Sequence, residues 1–328
     1  MKICLSEAMA ELLTPEIRRV APGAQLVQLR PDGTFGGDPT GTDIVLFSVD
    51  LAHQPASLEE AWRLLHSPSL SWVQGPAAGV DLPVWAELVE RGVRVTSAAG
   101  VHAEPIAQYV MTYVLHWHRQ VEQHRRQQVE HRWEALVADD LTTKTLGIVG
   151  YGGIGRATAR VAAAFGMRVL ALRRGRIDDP AVDEAFGPHE LSALMAGSDY
   201  VVLTLPLNDS TRGMVDARAL AAMRPTAVLI NVARGGVVDQ AALVDALERG
   251  AIRGATLDVV DDEPLPADSP LWDLANCVIT PHDAGYSPLA GERLGRLFVD
   301  NLSRFERGEP MVNEVDASQL PRRSDTVE

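Results

Sequence analysis

Short, largely apolar β-like runs alternate with longer helical stretches of mixed polarity through most of the chain. KICLS, AQLVQL, DIVLFSV, LSWVQG and RVTSAAG fall in the first hundred residues. TLGIV, RVLAL, YVVLTLP, AVLINVA, ATLDVV and CVITPH follow from Thr145 onward. Short β-like runs alternating with helical stretches predict a parallel sheet covered by its helices. Helical patterns lie between them, near residues 7–19 and 57–65, and a long helix is predicted from about Ala103 to Arg132. Its first part is apolar (PIAQYVMTYVLHW) and is expected to be buried between domains or in a subunit interface. Its second part is highly charged (RQVEQHRRQQVEHRW) and is expected to form a solvated arm. A last helix, Pro288–Arg307, is predicted to cross back to the first half. The expected fold is α/β: two Rossmann-like doubly wound parallel-sheet domains with a cleft between them. The first, residues 1–100 plus 286–318, is discontinuous and the second is 101–285. The polar end, 319–328, reads as a disordered tail.

A length of 328 residues fits two domains. The formal charge of −14 disfavours nucleic acid and anionic membrane as partners, because both require a basic face. An anionic substrate would therefore need a local cation. The two cysteines, Cys4 and Cys277, sit in strand-like apolar runs and read as buried thiols; their number excludes a disulfide framework or a zinc site. The N-terminus, MKICLSEAM, has no signal-peptide core and no apolar run is long enough to span a membrane, so a cytoplasmic location is expected. His116, His118, His124 and His131 lack the spacing with a carboxylate that a helical metal site needs, and no metal is expected.

The run GIVGYGGIG changes the picture. It follows a strand and opens a helical stretch, RATARVAAAFG, which is the context a dinucleotide-binding glycine turn requires. Gly150 suits a tight turn, Gly152 close approach to a pyrophosphate, and Gly155 close packing of helix on strand, with Gly153 and Ile154 completing the turn. The usual NAD signature places a carboxylate at the end of the next strand. Here RVLAL ends in Arg173 and Arg174, followed by Gly175 and Arg176. Guanidinium pairs with a 2′-phosphate that a carboxylate would repel, so NADP(H) is expected in preference, with NAD(H) possible.

Downstream lie a cation, a carboxylate and an imidazole: Arg234 in INVARGG, Glu263 in LDVVDDEPLP and His282 in VITPHDAG. These are the groups needed to hold a carboxylate substrate and move one proton beside a hydride carrier. They point to oxidoreduction of 2-hydroxy or 2-oxo acids.

With these motifs in their order, and with LPLNDSTRGMVD and NVARGGVVDQAALVDALERG between them, the chain resembles the D-2-hydroxyacid dehydrogenases over nearly its whole length. The resemblance implies that Arg234 pairs with the substrate carboxylate, His282 serves as acid in reduction and base in oxidation, and Glu263 orients it. It further implies that Asp258 contacts the nicotinamide amide, that Pro206 and Ala233 touch the cofactor, and that Ala78 and Gly79 bind the substrate carboxylate through the backbone. The first domain would then be flavodoxin-like and substrate-binding, and the second the dinucleotide-binding domain. A homodimer paired through the cofactor domain is implied as well. The side-chain pocket is expected near Ser48–Leu51 and Gln74–Gly79, with Trp272 and Tyr286. Glyoxylate-like or hydroxypyruvate-like acids fit, since no second cation awaits a larger anion. Three departures stand out: Asp283 after the histidine, Gln108 where relatives often carry Glu, and the absence of the substrate-loop lysine of phosphite-oxidising relatives. If the backbone is extended there, Asp283 faces away from His282; if it bends, a second carboxylate approaches the imidazole. The same fold occurs in NAD(H)-sensing co-repressors, so a nucleotide-sensing binding protein is the alternative.

Overall fold

The computed structural model describes residues 1–52, 54–316 and 320; most of the expected tail lies outside the described residues. The chain divides into two compact units, residues 1–102 with 286–328, and residues 103–285.

The first unit opens with β1 (Lys2–Ser6), α1 (Glu7–Val20), β2 (Gln25–Leu29), β3 (Ile44–Leu46), α2 (Val49–Ala52), α3 (Pro55–Leu64), β4 (Trp72–Gln74), α4 (Pro83–Glu90) and β5 (Arg94–Thr96). Its five strands are all parallel, in the order β2-β1-β3-β4-β5. That is the flavodoxin-like doubly wound order. Ser6 ends β1 and caps α1, its Oγ accepting from the Met9 amide at 3.2 Å. The strands are shorter than their apolar runs, and α4 occupies a stretch for which no helix was expected. Its sequence does carry the signals, Pro83 in the first turn and Gly92 at φ +82° just beyond the end.

The second unit contains α5 (Ala103–His118), α6 (Val121–Val129), β6 (Thr145–Val149), α7 (Gly153–Ala164), β7 (Arg168–Leu172), β8 (Glu184–Phe186), α8 (Leu191–Gly197), β9 (Tyr200–Leu203), α9 (Ala217–Ala222), β10 (Val228–Asn231), α10 (Gln240–Glu248), β11 (Gly254–Leu257) and β12 (Cys277–Ile279). Its seven strands are parallel in the order β12-β11-β10-β9-β6-β7-β8. Winding runs outward in both directions from β6 and β9, so the switch point lies beside the glycine turn, where open α/β sheets bind ligands. The last helix, α11 (Pro288–Glu306), belongs to the first unit and packs on α1, with Leu13 against Gly295.

Two expectations about the long helix are corrected. It is interrupted at Gln120, which takes a left-handed φ of +53° and separates α5 from α6. The apolar face of α5 is also covered within its own unit. Val110, Met111 and Val114 join Leu146, Ile148 and Ile230 in one core. Ala103 and Ala107 meet Ala157 of α7, where small side chains let the helices approach. The other face is a row of aromatic groups turned to the β11–β12 edge. The Trp117 Nε1 donates to Thr256 Oγ1 at 2.9 Å, and Tyr109 meets Thr280. Among the described residues no helix is long and apolar enough to cross a membrane.

Candidate active site

Parallel pairing places every strand's C-terminal end at the same edge of its sheet. β10, β11 and β12 are neighbours, so the loops leaving them share that edge. Arg234 follows β10, Asp258 and Glu263 follow β11, and His282 follows β12. The sequence separates these residues by up to 48 positions; the sheet order brings their loops together.

His282 and Glu263 are in direct contact, with Nδ1 2.7 Å from Oε2. A carboxylate only accepts, so Nδ1 carries the proton and Nε2 remains the nitrogen for a substrate. The bond to Glu263, helped by the Glu263 and Asp258 charges, holds the imidazole pKa above its ordinary value against burial and Arg234, which act the other way. Burial pushes the Glu263 carboxyl upward. The hydrogen bond and charge of His282, the Val260 amide and Arg234 together overcome this and leave it lowered. The pair therefore favours imidazolium beside carboxylate, a donor ready to protonate a developing alkoxide.

The chain at His282 is not extended. Its φ is +55°, a left-handed turn that is uncommon outside glycine. The His282 amide donates to the Asp258 carbonyl at 2.9 Å, and the Asp283 and Ala284 amides donate to Asp258 Oδ1 at 3.0 and 3.2 Å. Although the chain bends, the carboxylates acting on His282 are Glu263 and Asp258. Asp283 acts instead on Tyr109 and Tyr113 of α5. Asp258 is 4% exposed, and burial raises its pKa despite those amides and the Thr280 hydroxyl.

Asn231, which sequence reasoning overlooked, builds the turn that presents Arg234. It is buried at the end of β10; its Oδ1 accepts from the Ala233 amide and its Nδ2 donates to the Arg234 carbonyl, both at 3.0 Å. A polar residue closing the apolar run AVLI was the available signal. Gly235 then lies so close to the next loop that a Cβ would sit 2.0 Å from the Val260 carbonyl. The turn bearing Arg234 and the loop leading to Glu263 are thus in backbone contact.

The glycine turn is shaped as a dinucleotide cradle. Gly150 has φ +103°, and a Cβ there would meet the Leu205 backbone at 2.8 Å. At Gly155 a Cβ would lie 2.4 Å from the Gly150 carbonyl, while at Gly152, the N-cap of α7, it would meet nothing. Gly153 and Ile154 form the first turn of α7, whose N-terminus favours an anion. Arg173 and Arg174 stand exposed directly after β7. Pro206 is exposed after β9, and Ala233 is 6% exposed after β10. Ala78 and Gly79 lie in the first unit, in the loop that follows β4 at the C-terminal edge of its sheet. Tyr286 belongs to that unit too. Trp272 lines a groove in the second unit with Trp117 and Cys277, and its Nε1 donates to the Pro266 carbonyl.

Residues 111–284 match the family model of the D-isomer specific 2-hydroxyacid dehydrogenase NAD binding domain. A glyoxylate reductase of Korarchaeum cryptofilum is 38% identical over 256 residues, 76% of this chain and 77% of that protein. Among solved structures, a D-isomer specific 2-hydroxyacid dehydrogenase from Xanthobacter autotrophicus, in complex with NADPH and MES, superposes with a TM-score of 0.78 at 32% identity, covering 96% of this chain and 98% of that one. An NADPH-dependent glyoxylate/hydroxypyruvate reductase from Sinorhizobium meliloti, bound to NADP and sulfate, gives 0.77 at 27% identity, covering 96% and 98%. The chain belongs to the D-isomer specific 2-hydroxyacid dehydrogenases.

Proposed function

We propose that the chain is an NADP(H)-preferring reductase of small 2-oxo acids such as glyoxylate and hydroxypyruvate. The observation that carries this reading is the His282–Glu263 pair at 2.7 Å on the sheet edge that also presents Arg234. When bound, the nicotinamide supplies or accepts the hydride. Arg234 pairs with the substrate carboxylate and polarises the carbonyl. His282, through Nε2, gives a proton to the nascent alkoxide in reduction and takes it back in oxidation, while Glu263 fixes its tautomer and compensates its charge. Gly150 to Gly155 and the α7 N-terminus receive the pyrophosphate, and Asp258, Pro206 and Ala233 line the nicotinamide side. Arg173 and Arg174 recognise the 2′-phosphate, a role supported by their exposure and by the missing carboxylate. Ala78 and Gly79 are assigned to the substrate carboxylate, through their backbone amides.

A panel of 2-oxo acids assayed with NADPH and with NADH tests this reading. Turnover of glyoxylate or hydroxypyruvate, faster with NADPH, is the expected result, and Arg173→Ala with Arg174→Ala should lower the NADPH-to-NADH ratio. Cofactor binding with no turnover of any 2-oxo acid would instead favour the nucleotide-sensing alternative.

A homodimer formed through the second unit is part of the same reading, although α5 needs no partner to cover it. Trp133, Val129 and Val137 are exposed on the segment after α5. A groove of about 840 Å³, lined in part by Trp117, Val121, Leu136 and Ile279, lies on the same unit. Exposed apolar groups beside such a groove fit a second copy. Sedimentation at micromolar concentration showing a single-chain species alone would refute the dimer. The cytoplasm is the compartment proposed, consistent with two free cysteines in the chain.

A further inference from the structure

A hydroxyl on α5 is tied to the loop that carries His282. The Tyr109 hydroxyl lies 2.6 Å from Thr280 Oγ1, and Thr280 Oγ1 lies 2.6 Å from Asp258 Oδ1. The direction of these bonds follows from proton counting. Asp258, when ionised, can only accept, so Thr280 spends its single proton on it. The remaining contact of Thr280 is then as an acceptor, and Tyr109 must be the donor. The Asp258 carboxylate at the end of this chain receives the Asp283 and Ala284 amides as well, the two that follow the left-handed turn at His282.

We propose that Tyr109 is a positioning residue for His282, acting through an ordered chain, Tyr109 to Thr280 to Asp258, that holds the turn presenting the imidazole. Left-handed backbone at a residue other than glycine costs about 1–2 kcal/mol, and persists where surrounding bonds fix it. Asp258 is the acceptor that fixes it here, and its burial makes an ionised carboxylate costly unless its donors are in place. Each donated bond polarises the next, so the outer hydroxyl strengthens the inner one. Without Tyr109, Thr280 is freer to turn away, the carboxylate loses a donor, and the geometry of the His282–Glu263 bond loosens. The charged and titratable groups facing this region are Glu263, Arg234 and Asp258 toward His282, and Tyr109, Tyr113 and Asp283 toward one another and Asp258. Since the Glu263 bond is the largest cause raising the His282 pKa, a looser turn lowers it.

The importance of His282 rests on the proposed reductase reading, so the experiment reads the imidazole without turnover. Histidine ring signals of the protein without cofactor are titrated by NMR, with His282 assigned by the peak lost in His282→Gln. Tyr109→Phe is expected to move the His282 midpoint to lower pH, and Thr280→Val to move it at least as far. Thr280→Ser, which keeps the hydroxyl, should retain the wild-type curve. The double variant should match Thr280→Val alone, since both substitutions break one chain. In the 2-oxo acid assay Tyr109→Phe should lower kcat about three- to tenfold, the range of one hydrogen bond. A His282 curve unchanged in Tyr109→Phe, or additive shifts in the double variant, would overturn the positioning role whether or not the protein turns over. If Tyr109→Phe fails to fold, Thr280→Val against Thr280→Ser decides the matter with α5 intact. Absence of turnover with the titration behaving as expected would count against the reductase reading alone.

Discussion

Both units are doubly wound parallel sheets, yet their principal polar clusters differ in kind. In the first unit the polar groups are neutral and close on themselves. Trp72 Nε1 donates to Thr96 Oγ1 at 2.9 Å, Thr96 Oγ1 to Gln74 Oε1 at 2.8 Å, and Gln74 Nε2 to the Thr96 carbonyl at 3.2 Å. Asn301 of α11 joins them, reaching Gln74 Oε1 at 3.3 Å and exchanging bonds with the Val312 backbone at 2.7 and 3.0 Å. All four of these residues are fully buried. In the second unit, beside neutral buried groups such as Asn231 and Thr256, the cluster that follows the strand ends is charged: Asp258 is buried, Glu263 and His282 are partly exposed, and the protonation of all three is shifted. A closed neutral network orders a fold; an open charged one stores capacity for proton transfer. Substitutions in the two networks should therefore separate, one lowering stability and the other activity.

The largest separation is expected at Arg234. Arg234→Ala should cost roughly 3–5 kcal/mol in kcat/KM, the scale of losing one side of a desolvated charge pair, with a small change in melting temperature. Steady-state kinetics beside thermal unfolding checks it, and equal kinetics would remove Arg234 from the reaction.

Next comes Glu263. Glu263→Gln keeps the shape and removes the charge, a loss on the order of 1.5–3 kcal/mol for a hydrogen bond between charged groups. Its signature is in pH. In the proposed reaction reduction needs protonated His282, so activity should be lost as pH rises through the raised imidazole pKa. Removing the largest cause of that elevation moves the basic limb of kcat/KM toward acid. The stability linkage has the same sign. The contribution of the raised His282 is complete below the ordinary histidine value, about 6.5, and disappears as pH rises through the folded value. The variant should lose this pH dependence of stability along with the shifted limb. A basic limb unchanged in position would mean that another group sets it.

How much of this contrast the sequence displays differs between the units too. The strands were legible in both, because parallel strands buried on two faces write continuous apolar runs such as YVVL and AVLIN. Arg234, Glu263 and His282 were legible because each follows such a run. The pieces that escaped are short or depend on distant partners. β8 is three residues long and not fully buried, and α2 is a single turn. The break at Gln120 carries neither glycine nor proline to mark it. The left-handed turn at His282 is imposed by Asp258, and Tyr109 meets Thr280 across 171 positions of sequence. The neutral network of the first unit was equally hidden, since Asn301 lies 227 positions from Gln74.

On the other side of the comparison, Asn301→Leu should lower stability by about 1–3 kcal/mol, because the Val312 amide and carbonyl lose their buried partners. Its kcat with a turned-over 2-oxo acid should stay within about twofold of wild type at a temperature where both are folded, as expected of an interaction that only orders the fold. A large fall in kcat at unchanged stability would erase the distinction between the two networks.

The smallest effect is expected where a charged pair serves the first unit as structure. Arg94 Nε and Nη2 meet the Glu314 carboxylate at 2.6 and 2.8 Å, Nη2 also reaches the Glu309 carbonyl, and the guanidinium lies over the Phe305 ring at 5.6 Å. The contact clasps the segment after α11 to β5, where Thr96 bridges Glu314 and the Val315 amide donates to the Val95 carbonyl at 2.8 Å. Both side chains are about 30% exposed, so solvent screens the pair. Arg94→Met should cost about 1 kcal/mol, at the upper end for such pairs because the fork is bidentate. The sign with pH is opposite to that of His282. The Arg94 hydrogen bond lowers the Glu314 pKa, so its contribution is present above the ordinary glutamate value, about 4.3, and is lost as pH falls through the lowered folded value. Denaturant unfolding at pH 7 and again near pH 3 should therefore show the wild-type advantage over Arg94→Met shrinking in acid, with kcat unaffected at neutral pH. An advantage that persists undiminished in acid would assign the clasp to the aromatic and carbonyl contacts of Arg94, with no part played by the Glu314 charge.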